Sequence, residues 1–201
     1  MTDVLVPVNR LVRWLDNFHA RHGAMVLTAE DGALVVRSED GAVARLRLPF
    51  SRSYDGPGEV SAFADAAVAP RRWGVLLTRK GGFAVAVLEG DGVVASKVGQ
   101  RHVQGRTKAG GQSQQRFARR RANQARQAYE AAADHAARVL TDLDVLVCGG
   151  DRRAVEEVLR DPRLKQVAAR RVEPWLPVPD PRRGVLEKAV LDATSVRVAV
   201  S

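Results

Sequence analysis

The chain has 201 residues, 45% of them hydrophobic, enough to bury a sizeable core as one large domain or two small ones. No run of 18 or more apolar residues occurs, which excludes a membrane-spanning helix, and a lone cysteine, Cys148, excludes a disulfide framework. The formal net charge of +9, from 32 Lys and Arg against 23 Asp and Glu, points to an anionic partner.

The first residues, MTDVLVPVNRLVRWLD, lack the basic start, apolar core and small-residue cleavage site of a secretory signal. With Cys148 in the apolar run LDVLVCGG, a buried reduced thiol and a cytoplasmic protein are expected. Residues 7–22 place Leu11, Trp14, Leu15 and Phe18 at helical spacing, opened by Pro7 and closed by Gly23. Three short strands follow, AMVLTA, ALVVRS and VARLRLPF, separated by the hairpin signals Asp31-Gly32 and Asp40-Gly41. A turn-rich loop, SRSYDGPGE, and a short helix or connector close this first unit, with a domain boundary expected between 66 and 67.

The second unit, residues 67–201, opens with RWGVLLTR, GFAVAVLEG and GVVASKVG, joined at Lys80-Gly81-Gly82 and Asp91-Gly92 as an antiparallel meander. A basic loop spans 99–112, and a long helix is predicted from about Ser113 to Leu140. Its apolar stripe is Ala118, Ala122, Ala125, Tyr129, Ala132, Ala136 and Val139, with Arg116, Arg119, Arg120, Asn123, Arg126 and Gln127 on the opposite face. The remainder reads as a strand DVLVCGG, a helix DRRAVEEVLRDP, a strand KQVAARRVEPW, a helix PRRGVLEKAVLDATS and a last strand VRVAV. The expected fold class is therefore mixed α/β: an antiparallel meander extended into a mixed sheet, flanking helices, and a projecting glycine loop leading into a long helix. A small unit of helix and strands stands before it.

The positive charge is concentrated. From residue 92 to residue 129 there is no carboxylate, and Lys97, Arg101, Arg106, Lys108, Arg116, Arg119, Arg120, Arg121 and Arg126 all fall there. Removing those nine from the 32 bases leaves 23, against 23 acids, so the whole excess belongs to this segment. Solvated faces normally alternate their signs; a segment of one sign reads as a footprint for phosphate.

Within that segment lies TKAGGQSQQRFARRR, residues 107–121. Adjacent glycines allow backbone angles closed to other residues and the close approach of another molecule. Gln112 cannot titrate; its groups donate or accept hydrogen bonds. Backbone N–H groups aimed at a developing oxyanion assist ester hydrolysis without a titrating side chain. The residues alone therefore read as a flexible tip delivered to nucleic acid, with a binding protein and a hydrolase both open. Other readings are weaker. GQRHVQGRT has five residues between its glycines and an arginine where a phosphate-binding loop needs lysine. His19 and His22 have no third ligand nearby, so no metal site is expected. VLVCGGD could form an anion-binding turn or simply a tight connection. His102 or His135 could serve a free-standing hydrolase as base.

AGGQSQQRFARRR followed by a long helix resembles the middle domain of archaeal and eukaryotic class-I peptide release factors, whose motif is Gly-Gly-Gln-Ser, two variable residues and Arg-Phe. The match covers Gly110, Gly111, Gln112, Ser113, Arg116 and Phe117, and extends weakly over about residues 70–195. Residues 1–66 lack the Asn-Ile-Lys-Ser stretch of those factors, and no partner-binding domain is expected beyond residue 201. That combination resembles release-factor-like peptidyl-tRNA hydrolases, in particular an actinobacterial branch related to a ribosome quality-control factor. The resemblance implies codon-independent hydrolysis of the peptidyl-tRNA ester on stalled large subunits, without cofactor or metal. It implies that Gln112 positions water and offers its backbone amide, with Gly110 and Gly111 shaping the loop. Gln114 stays a rival, Ser113 is either an N-cap or a chemical group, and Phe117 anchors the helix start in preference to stacking a base. Arg106, Lys108, Arg116, Arg119, Arg120 and Arg126 would bind ribosomal RNA or tRNA. The expected partners are the large subunit and peptidyl-tRNA, with the chain acting as a monomer.

Overall fold

The computed structural model describes residues 2–80, 82–100 and 112–201. The chain divides into two compact units, one of residues 1–69 and 190–201, the other of residues 70–189.

The first unit contains β1 (Thr2–Val6), a 3-10 turn (Val8–Arg10), α1 (Leu11–His22), β2 (Met25–Glu30), β3 (Ala33–Ser38), β4 (Val43–Arg47) and α2 (Val60–Ala66). It is completed by the last strand of the chain, β10 (Val196–Val200). The order is β1-β10-β4-β3-β2, every pair antiparallel. Asp31 and Gly32 form the two-residue β2–β3 loop with φ of 48° and 72°, the pair of positive angles that matches the twist of the flanking strands. Around Asp40-Gly41 the connection is longer than expected: residues 39–42 separate β3 from β4, and Gly41 alone of them takes a positive φ. Leu11, Leu15 and Phe18 lie one helical turn apart and are buried, packing with Leu34, Val36, Leu46, Val196 and Val198. Phe63 of α2 closes this core, meeting Tyr54 edge-on at 4.9 Å.

The second unit holds β5 (Arg72–Arg79), β6 (Gly82–Glu89), β7 (Gly92–Gln100) and α3 (Gln112–Val139). Then follow β8 (Val145–Gly150), α4 (Arg152–Leu159), a 3-10 turn (Pro162–Leu164), α5 (Lys165–Ala168) and β9 (Arg171–Leu176). The boundary between the units falls inside α6 (Arg183–Thr194), at Ala189. Strand order is β7-β6-β5-β8-β9; β5, β6 and β7 form the antiparallel meander, while β8 runs parallel to both β5 and β9. The β6–β7 turn is Gly90-Asp91, one residue earlier than the sequence suggests, with Gly90 at φ 54°. Leu76 of β5, Phe83, Val85 and Val87 of β6, and Leu146 and Cys148 of β8 alternate onto one face. That face receives Ala132, Ala133, Ala136 and Leu140 from α3 and Val155 and Val158 from α4.

The fold class is mixed α/β, as expected, with three differences. Two five-stranded sheets form where one mixed sheet with a small accessory unit was anticipated. The last strand, inside the 67–201 span of the expected second domain, pairs with β1 and β4 of the first sheet. Residues 165–175 are not one strand: Lys165–Ala168 turn helically, and β9 starts only at Arg171.

Candidate functional site

The charged segment occupies the passage from β7, which ends at Gln100, to α3, which begins at Gln112. Gly110, Gly111, Arg106, Lys108 and His102 lie outside the described residues, as does most of the loop. Gln112 is the first residue of α3, with Ser113, Gln114, Arg116, Phe117, Arg119 and Arg120 in the turns that follow. The side chains of residues 112–122 and 125 lie outside the described part, so the outward face predicted for Arg116, Arg119 and Arg120 is not among the observations. Asn123, Arg126 and Gln127 are exposed, and Arg126 Nη2 donates to Asn123 Oδ1 at 2.8 Å.

A helix leaves its first four N–H groups without internal acceptors, and its aligned peptide dipoles make that end positive. Gln112 stands there, and no acidic residue occupies the first turn to neutralise the end. Twenty-eight residues at about 1.5 Å each make α3 about 42 Å long.

The other end is fixed. Ala132 and Ala136 are fully buried and Leu140 nearly so, with Ala128 and Ala133 also inside. The buried stripe is rotated slightly from the predicted one: Tyr129 and Val139 are only partly buried, and Ala128, Ala133 and Leu140 replace them. Small side chains allow close approach, and the sheet answers with Gly74, where an added Cβ would stand 2.6 Å from Leu143 Cδ1 and 2.9 Å from Leu140 Cδ2.

His135 stacks on Phe83 with ring centroids 5.5 Å apart. Burial lowers the imidazole pKa, helped by Arg138 and Lys97 and opposed by Asp134, so the neutral ring is favoured. At 1.5 Å per residue it sits about 35 Å along α3 from Gln112, so one small reacting group cannot be reached by both. Tyr129, further up the helix, has its phenol pKa raised by burial first and by Asp151 and Glu157 next.

The remaining candidates resolve into structure. Asp151 caps α4, its carboxylate accepting from Arg153 N at 2.9 Å and Ala154 N at 3.4 Å, so the turn after β8 is served by the chain's own anion. Gly150 takes φ 93°, and a Cβ there would overlap the Thr78 carbonyl. Cys148 is buried, and desolvation pushes its thiol up to about 12. His19 Nδ1 lies 2.8 Å from the Gly23 carbonyl, and His22 Nδ1 2.8 Å from Asp40 Oδ2. Among the described residues no group of three His, Cys, Asp or Glu could hold a metal, and no helix is long and apolar enough to cross a membrane. One contact had no local signal in the sequence: the Arg152 guanidinium lies 4.4 Å from the centre of the Trp175 ring.

Among solved structures, the archaeal translation termination factor aRF1 is 11% identical with a TM-score of 0.45, over 95% of this chain and 63% of that one. The Vms1 mitochondrial localization core is 13% identical with a TM-score of 0.45, over 94% of this chain and 80% of that one. Archaeoglobus fulgidus Pelota is 13% identical with a TM-score of 0.29, over 94% and 62%. The chain thus spans less than two thirds of the archaeal factor's length. No curated protein matches it. Residues 71–199, well over half of the 201, match the sequence model described as Actinobacteria/chloroflexi VLRF1 release factor, and the chain belongs to that release-factor family.

Proposed function

We propose that this protein, by its family a factor of translation termination or ribosome rescue that works with the ribosome, hydrolyses the peptidyl-tRNA ester on stalled large-subunit complexes without reading a codon. The observation that carries the reading is Gln112 as the first residue of α3, directly after Gly110 and Gly111 in the sequence, in a 38-residue stretch holding nine cations and no carboxylate. With no carboxylate in the stretch, the reaction draws on backbone donors and on groups of the RNA. Gln112, as the first helical residue, carries one of the N–H groups that the helix itself cannot use. That amide stabilises the oxyanion formed when water attacks the ester carbon, and the side-chain amide orients the water. Gly110 and Gly111 let the tRNA end approach the backbone. Arg106, Lys108, Arg116, Arg119, Arg120 and Arg126 neutralise phosphate around it, acting as a monomeric arm.

The test is peptide release from purified large subunits carrying peptidyl-tRNA. Gln112→Ala and Gly111→Ala should abolish release while ribosome association persists. Full activity in both variants overturns the proposal, and loss in Gln114→Ala alone moves the role to that residue. A non-catalytic rescue protein, favoured by the charge concentration taken by itself, would associate in the same salt-dependent way and free no peptide.

A further inference from the structure

We infer that the first unit carries a second RNA-binding site, a groove between α1 and the edge strand β1 that takes a short single-stranded RNA segment. Two adjoining hollows of about 420 and 510 Å³ share Trp14 and Asn17 as lining. Arg10 and Arg13 border one and Arg21 the other. Positions 10, 13, 17 and 21 are spaced by three, four and four, so all four residues share one side of the helix.

Three observations favour a nucleic acid. The unit as a whole is acidic, with eight arginines and no lysine against ten carboxylates, yet the groove gathers three of the arginines. Arg37 pairs with Glu30 at 2.7 Å and Arg45 with Asp31 at 3.6 Å, whereas Arg10, Arg13 and Arg21, like Arg47, Arg52 and Arg197, enter none of the ion pairs among the described residues. Finally, Trp14 is only partly buried and stacks on Phe18 at 5.5 Å, which in turn meets His22 at 4.5 Å. That ladder packs the indole against its helix neighbours, and the ring lines both hollows. An aromatic platform flanked by unpaired guanidinium groups suits a base stacked between phosphates, with the exposed Asn17 amide available to a base edge. At the far end His22 Nδ1 lies 2.8 Å from Asp40 Oδ2, and the same carboxylate accepts from the Ser38 hydroxyl and the Ala42 N–H.

The site is separate from the hydrolytic reading and stands without it. The test measures binding of a labelled oligouridylate to the full chain by fluorescence anisotropy across a salt series. It is run in the native sequence and in a background with Arg116, Arg119, Arg120 and Arg126 changed to Gln. The triple variant R10Q/R13Q/R21Q should weaken binding in both, most clearly in the neutralised background, and lower the salt slope by about 2, at about 0.7 per phosphate contact. Trp14→Leu should cost about tenfold. Because the three arginines are exposed, unchanged circular dichroism and Tm are expected for the triple variant. Unchanged affinity and slope in that variant overturn the proposal, as does a groove that binds an extended peptide along β1 and no oligonucleotide. Loss of oligonucleotide binding with peptide release intact, or the reverse, separates this proposal from the hydrolytic one.

Discussion

Phe83 and Gly99 face each other across the β6–β7 pair, and the ring of Phe83 fills the space where a side chain at position 99 would stand. A Cβ on Gly99 would lie 2.6 Å from Phe83 Cζ. The same ring stacks on His135 of α3. One aromatic residue therefore couples the end of the strand that enters the charged arm to the helix that leaves it. Gly99 has no left-handed φ, so it is required for room and not for backbone freedom.

Gly99→Ala should accordingly destabilise the protein, although alanine is ordinarily the better strand residue. Overpacking of this kind costs about 1–3 kcal/mol. Urea unfolding checks the cost. The release assay checks the coupling: activity should fall further than the unfolded fraction explains, because displacing Phe83 shifts the seat of α3. An unchanged midpoint shows that the ring moves aside freely.

The α4 cap makes a second prediction. Asp151 accepts from two first-turn N–H groups, so Asp151→Ala should cost about 1 kcal/mol, and Asp151→Asn or Asp151→Ser much less. Retention of full stability in the alanine variant would mean that solvent serves those donors equally well.

Acid sensitivity follows from three carboxylates held at about 2. Glu30 is lowered first by hydrogen bonds from Arg37, which reaches it through both terminal nitrogens at 2.7 Å, then by Thr28. Asp40 is lowered first by Ser38, then by the Ala42 amide and His22, and Asp161 by the Arg163 side chain and amide. In the unfolded chain such groups titrate near 4, roughly. Their folded pKa values are depressed, so their stabilisation is complete above the unfolded value and drains away as pH falls toward 2. The urea midpoint should be level from pH 7 to about 5 and drop below about 4. Glu30→Gln, Asp40→Asn and Asp161→Asn should each flatten part of that drop, by small amounts because Asp40 is exposed and Glu30 and Asp161 are only partly buried, so solvent screens all three.

Legibility in the sequence tracked the range of the interaction. Hairpins at Asp31-Gly32 and along the meander were readable, since turn chemistry and two-residue alternation are local, and so was the length of α3. β1 was missed: TDVLV is a five-residue edge strand whose partner, β10, lies nearly the whole chain away. The same pairing, together with that of β10 to β4, splits the strands into two sheets, and no local pattern announces it. Lys165–Ala168 turn helically where apolar content suggested a strand, because Leu164 and Val167 pack into the second core from successive turns. For the site, charge segregation and the glycines before α3 were plain in the letters, as was the helical spacing of Arg10, Arg13 and Arg21, whereas the groove beside Trp14 depends on where β1 comes to lie.

Cys148 supplies the last prediction and a way to read the others. It lies in β8 under α3 and α4, almost without solvent contact, and burial holds its thiol near 12. At pH 8 the thiolate fraction is then about one in ten thousand, and the thiol has no path to a reagent unless the helices lift away. An aromatic disulfide reagent should therefore leave the folded protein unlabelled for hours and titrate one thiol per chain in denaturant. Under native conditions the labelling rate then measures opening of this core. Gly99→Ala and Asp151→Ala should each raise that rate, by about tenfold for every 1.4 kcal/mol lost where labelling goes through full unfolding. The groove variant R10Q/R13Q/R21Q should leave it unchanged. Rapid labelling of the unaltered protein would mean that α3 is not seated on β8 as described, and the anchored end of the helix that follows the charged segment would be lost with it.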